Sequence, residues 1–144
     1  MELFLETLLN EDHERIDALF EQYLERRKNK GKDALKLFGA YQDALLKHMK
    51  LEEDLIFPVL ERHPKERATQ EVVEMLQEHD SIRSCLAKTR GLCDGSSDDV
   101  EAAERHLFEE LHEHNAREEM HVYPHLERLL TLEEASAVAK LVSP

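Results

Sequence analysis

The sequence predicts an all-α protein: an up-down-up-down four-helix bundle with a short C-terminal helix and an internal two-fold repeat. Three observations predict it. Leu, Glu, Lys, Arg and Ala dominate a 144-residue chain that holds only four Gly and four Pro, which favours helix almost throughout. No run alternates apolar and polar residues between hairpin turns, so no strands are expected. The chain also repeats itself at an offset of 66. Asp12-His13-Glu14-Arg15-Ile16 answers to Glu78-His79-Asp80-Ser81-Ile82, and His48 answers to His114 in a shared pattern, H-x3-E-E-x3-[F/Y]-P-x-L-E.

Each element has a local cause. The first helix should span about 3–28 and stop in the polar, basic run Arg26 to Gly31. The second should span about 33–62 and end at His63-Pro64, and the third about 66–90, ending between Gly91 and Gly95. The fourth should open on Asp98-x-x-Glu101 as a capping box and reach about 129, while Thr131-x-x-Glu134 should cap a last helix of about ten residues. Short connections make neighbours antiparallel. Pro58 and Pro124 fall inside the second and fourth helices at equivalent places, where each removes a backbone hydrogen bond and should bend its helix. The length suits one domain, read as residues 1–144, with enough chain to bury a core.

Composition removes several function classes. A net charge of −13 repels nucleic acid and anionic membrane surfaces. No stretch approaches the 18 or so apolar residues of a membrane span. Met1 to Glu6 has neither a basic start nor a long apolar run, so no signal peptide is expected. Cys85 and Cys93 lie eight apart on one helix, about 12 Å of rise, too far to bridge. Two unpaired thiols fit a reducing cytoplasm. No nucleophile with its base and no Gly-rich phosphate loop is present.

The chemistry sits in the repeat. Residues four apart share a helix face, so His48 with Glu52, and His114 with Glu118, point the same way. Glu53 and Glu119, one step on, turn about 100° away and are expected to support the site or meet solvent. His13 and His79 are each followed three residues later by Ile, which places both on the inward stripe. Antiparallel packing brings all four His and both Glu to one level of the interior. Two buried carboxylates without a cation are very costly, and a metal pair removes that cost. Four imidazoles and two carboxylates without a thiolate favour a carboxylate-bridged di-iron centre, with zinc and manganese as open alternatives.

Other residues carry plainer expectations. Asp17 and Arg83 flank the site and are expected to pair across its rim, with Asp17 as an extra ligand the alternative. His121 and His125 are expected to fill core or helix-end space, with hydrogen bonding behind the site as the alternative. His63 is a helix-end residue, and His106 and His112 are read as exposed. Phe57 and Tyr123, nine residues after a ligand His, come out on the far face by helix arithmetic and are expected to pack without ligating. Cys85, whose partner at the 66-residue offset is Leu19, is expected to be a small core residue.

These residues together resemble the hemerythrin-like (HHE cation-binding) family over about residues 10–130. The resemblance implies a four-helix bundle holding a non-haem di-iron centre with an oxo or hydroxo bridge. Carried over residue by residue, it implies His13, His48, His79 and His114 as terminal ligands and Glu52 and Glu118 as bridging carboxylates. Oxygen-carrying members place a second His four residues after the third-helix His, where this chain has Arg83. The chain therefore looks like the four-His, two-Glu subgroup. That subgroup implies a redox or stress role toward a small ligand such as O2, NO or H2O2, whether by binding or by turnover, with an iron- or oxygen-sensing module as the alternative. The partners implied are that gas or peroxide and an electron-donor protein, for a cytoplasmic monomer or weak oligomer.

Overall fold

A computed structural model describes residues 5–93 and 98–142. Helix α1 spans Leu5–Lys28, α2 Ala34–Leu51, α3 Phe57–Glu61, α4 Arg67–Gln70, α5 Val72–Leu92, α6 Asp98–His121, α7 Leu126–Leu129 and α8 Leu132–Val142. A π-helical turn, Glu52–Ile56, joins α2 to α3, and a 3-10 turn, Tyr123–His125, joins α6 to α7. No strand occurs among the described residues. The expected start of the first helix at residue 3, and Gly95, lie outside them.

The bundle is built from two antiparallel helix pairs. Between α1 and α2 the facing pairs are His13 with His48, Phe20 with Tyr41 and Tyr23 with Phe38. Rising numbers on one helix meet falling numbers on the other. Between α5 and α6, His79 faces His114 and Cys85 faces Glu110 in the same opposed sense. The turn after α1 is closed by Lys30, held at φ 56, and by the Gly31 N–H donating to the Arg26 carbonyl at 2.7 Å. A Cβ on Gly31 would stand 3.2 Å from that carbonyl, so glycine answers to a close approach while Lys30 supplies the left-handed backbone.

Both proline sites depart from regular α-helix, each in its own way. Before Pro58 the ladder widens, and the Phe57 N–H donates to the Glu52 carbonyl five residues back. Around Pro124 the chain tightens to the 3-10 turn, entered through Val122 at φ −114 and ψ −60. The last helix starts as expected: the Thr131 N–H donates to Glu134 Oε1 at 2.9 Å and the Glu134 N–H donates to Thr131 Oγ1 at 3.1 Å.

Two apolar clusters fill the interior. One contains Leu5, Leu9, Ile56, Phe57, Leu60, Met75 and Leu126 and is closed by Val138 and Val142 of α8. The other contains Ile16, Phe20, Tyr23, Phe38, Tyr41, Leu45, Ile82, Leu86, Leu107 and Leu111. His13, His48, Glu52, His79, His114 and Glu118 belong to neither cluster and are all 0–3% exposed. They form a buried polar layer between the two.

A second buried polar group closes the end near the α1–α2 turn. Arg27 and Glu104 are paired by two hydrogen bonds, one of them Nη2 to Oε1 at 2.6 Å, and the Tyr23 hydroxyl donates to Glu104 Oε2 at 2.7 Å. Removing one partner strands the other charge out of water, which costs about 3–5 kcal/mol. Glu104→Ala should therefore lower the unfolding free energy by about that amount in urea denaturation, without change in metal content. A loss below 1 kcal/mol would show that the pair is hydrated or dispensable.

Candidate metal centre

The six donors are delivered by five elements of the bundle. His13 comes from the middle of α1, His48 from the last turn of α2, Glu52 from the first residue of the π turn, His79 from α5, and His114 and Glu118 from α6. The i to i+4 spacing places His114 Nε2 3.2 Å from Glu118 Oε1 and His48 Nε2 3.7 Å from Glu52 Oε1. Each carboxylate also reaches across. Glu118 Oε1 lies 3.2 Å from His13 Nε2, and Glu52 Oε1 lies 3.2 Å from His79 Nε2. The structure thus brings all six predicted residues together, each carboxylate standing between a His from either helix pair.

All four rings are held from behind. His13 Nδ1 lies 2.7 Å from Glu119, His48 Nδ1 2.7 Å from Asp12, His79 Nδ1 2.6 Å from Glu53 and His114 Nδ1 2.8 Å from Glu78. A proton on Nδ1 shared with a carboxylate leaves the Nε2 lone pair facing the centre, the arrangement that orients metal-binding imidazoles. The four pairs are related by adding 66. Two of them join the helix pairs, since His13 of α1 meets Glu119 of α6 and His79 of α5 meets Glu53 of the π turn. Glu53 is in turn gripped by Arg83, whose Nη2 donates to both carboxylate oxygens at 2.8 Å.

The inner atoms are left wanting. Glu52 Oε1, Glu118 Oε2, His79 Nε2 and His114 Nε2 are buried and have no hydrogen-bond partner. Polar atoms buried at this depth are normally satisfied. Their donor atoms converge in two sets, Glu52, His79, His114 and Glu118 in one and His13, His48 and Glu118 in the other, each within 4.8 Å. Neutral imidazole nitrogens and carboxylate oxygens are a donor set that accepts iron, zinc or manganese. The residues therefore fit a divalent or trivalent cation.

With no cation, protons must balance the carboxylates. Burial works against a charged His48 ring, yet the field of Glu52 and the hydrogen bond to Asp12 prevail and raise it to about 10. Burial likewise opposes charge on His114, and Glu118 and Glu78 raise it to about 10. His13 is also raised, by Glu118 and Glu119 against the same burial. Glu52 is held well below the usual carboxylate range by His48 and His79 in spite of its burial.

Three expectations need correction. Tyr123 is not on a far face. Its hydroxyl sits in the centre, where its one proton can go to Glu52 Oε2 at 2.8 Å or Glu118 Oε1 at 3.1 Å, and its oxygen lies 3.0 Å from His48 Nε2. Helix arithmetic fails because α6 ends at His121 and the chain turns through Val122 before reaching it. Phe57, displaced by the π turn, also faces inward, its ring 5.5 Å from His79. Asp17 and Arg83 do not pair: Asp17 stands 4.0 Å from His112, and Arg83 goes to Glu53 and Asp80. Cys85 is buried, with its thiol donating to Glu110 at 2.7 Å, while His121 and His125 join neither donor set.

The hemerythrin HHE cation-binding domain model matches residues 5–126, and the chain belongs to that family. No curated protein and no solved structure matches it. No helix among the described residues is long and apolar enough to cross a membrane.

The proton balance has a measurable sign. His48 and His114 titrate near 10 in the folded, metal-free protein against 6.5 when unfolded. Their stabilisation is full below pH 6.5 and is lost as pH rises through 10. The melting temperature of the metal-free protein should therefore fall steadily between these limits, and that of the metal-loaded protein should fall less, since bound metal replaces the protons. Parallel melting curves for the two forms across this window would contradict the assignment.

Proposed function

We propose that this hemerythrin HHE-family chain holds two iron ions and uses them to bind or react with a small diatomic or peroxide ligand in a redox or stress role. One observation carries the reading: the two buried donor sets share Glu118, and Glu52 also reaches a His on either side. Two carboxylates placed between two pairs of imidazoles suit a pair of ions bridged by Glu52 and Glu118. His13 and His48 would hold one ion, and His79 and His114 the other. A structural zinc needs only one tetrahedral set and leaves donors over.

Iron, when bound, supplies reversible one-electron chemistry toward O2, NO or H2O2. The chain's own residues set its surroundings. Glu119, Asp12, Glu53 and Glu78 fix the four rings and strengthen them as donors. The two apolar clusters on either side keep bulk water from the polar layer. Arg83 occupies the position of a fifth histidine in oxygen carriers, but it turns to Glu53 and offers no lone pair. That leaves the four-His, two-Glu set, with two imidazoles and shared carboxylates for each ion, fewer protein donors than the five-His set supplies. This favours redox turnover over oxygen carriage.

Metal analysis tests the reading directly. The protein from iron-replete cells should hold about two iron atoms per chain, and Glu52→Ala or Glu118→Ala should hold one or none, with a lowered melting temperature. Glu53→Ala and Glu119→Ala should keep both ions at saturating iron but bind them about 10–100-fold more weakly. One tightly held zinc with no iron in the wild type would refute the di-iron reading. Equal metal loss in all four variants would refute the division between inner and outer carboxylates.

A further inference from the structure

The inner donors are shared out unevenly. Glu52, His79, His114 and Glu118 gather tightly, while beside His13 and His48 only Glu118 does, because Glu52 Oε1 leans toward His79 at 3.2 Å and stands 3.7 Å from His48 Nε2. The Tyr123 hydroxyl lies on the poorer side, 3.0 Å from His48 Nε2 and 3.1 Å from His13 Nε2. It is also 2.8 Å from Glu52 Oε2 and 3.1 Å from Glu118 Oε1, and the residue is 1% exposed. In the other copy the matching position is Phe57, which faces His79 and offers no donor atom.

We propose that Tyr123 is a seventh protein ligand, its phenolic oxygen completing the His13–His48–Glu118 set. The inference rests on the metal-binding reading above. A hydroxyl has one proton to give and two lone pairs to offer. Here it is ringed by four buried polar atoms, two of them carboxylate oxygens that both call for the same proton. One cation beside it would draw the phenolic oxygen and the two ring nitrogens at once. A hard, anionic oxygen donor suits ferric iron. Ligation exchanges the phenolic proton for the metal, and the proton leaves to the buffer. The backbone supports the placement, because the break at Val122 and the 3-10 turn swing this one ring inward from the end of α6.

The other two tyrosines do not compete for the role. Tyr23 donates to Glu104, and Tyr41 packs against Phe20 and Phe38. A phenolate signal on bound iron would thus come from Tyr123 alone.

The test uses the full chain, loaded with iron and oxidised in air. The wild type should show a visible phenolate-to-iron charge-transfer band, and excitation into it should enhance tyrosine ring vibrations in the resonance Raman spectrum. Ring-deuterated tyrosine should shift those vibrations. Tyr123→Phe should lose the band while keeping at least the iron held by Glu52, His79, His114 and Glu118. Wild-type protein that binds iron but shows no tyrosine vibrations overturns the proposal and leaves the di-iron reading standing, as does a band unchanged in Tyr123→Phe. Wild-type protein that takes up no iron overturns both. The Raman result on the wild type decides even if the variant folds poorly.

Discussion

Glu52 and Glu118 lie side by side in the bundle with no exposure to solvent. Two carboxylates in such a place cost several kcal/mol each unless positive charge meets them. The neighbouring parts of the structure answer that demand. Four rings from four different helices turn Nε2 toward the pair, and each ring leans on a further carboxylate. Apolar clusters seal the layer on both sides, which keeps water from meeting the cost instead. Remove the cation and the balance passes to protons on His48 and His114. A cation held there would tie folding to occupancy, since donor groups from α1, α2, the π turn, α5 and α6 meet at one point.

The outer carboxylates do a different task from the inner ones, although sequence neighbours supply both. Glu52 and Glu53 are adjacent, yet the first is buried at the centre and the second faces Arg83 and the back of His79. The 100° step between consecutive helical residues makes that division. It also gives Arg83 an indirect part. Its guanidinium fixes Glu53, Glu53 fixes the His79 ring, and the ring presents Nε2 to the centre.

The bundle and its six central residues were legible because periodicity is a local property. H-x3-E names a shared face before any fold is known, and the 66-residue offset shows that two such faces occur. The capping pair Thr131 and Glu134 was legible for the same reason. What escaped was non-local or depended on broken periodicity. Arg27 and Glu104 are 77 residues apart, and nothing near either names the other. Arg83 has a nearer carboxylate in Glu53 than the Asp17 that the sequence places across the bundle from it. A regular helix carried through Val122 misplaces Tyr123, because the backbone changes there. The two prolines marked both irregular turns, but not that one would widen and the other tighten. A clue to Tyr123 was present all the same: at that position the two copies differ by a single hydroxyl.

The bonds that join the two helix pairs make each copy of the motif depend on the other. His13 is steadied by α6 and His79 by the π turn after α2, so neither half steadies its own first-helix ring. A lone hairpin with one copy of the motif would own half a centre, and could complete it only by meeting a twin head to head. Joined in one polypeptide, the twins need no longer match. One carries phenylalanine where the other carries tyrosine, and the polar layer has two unlike sides.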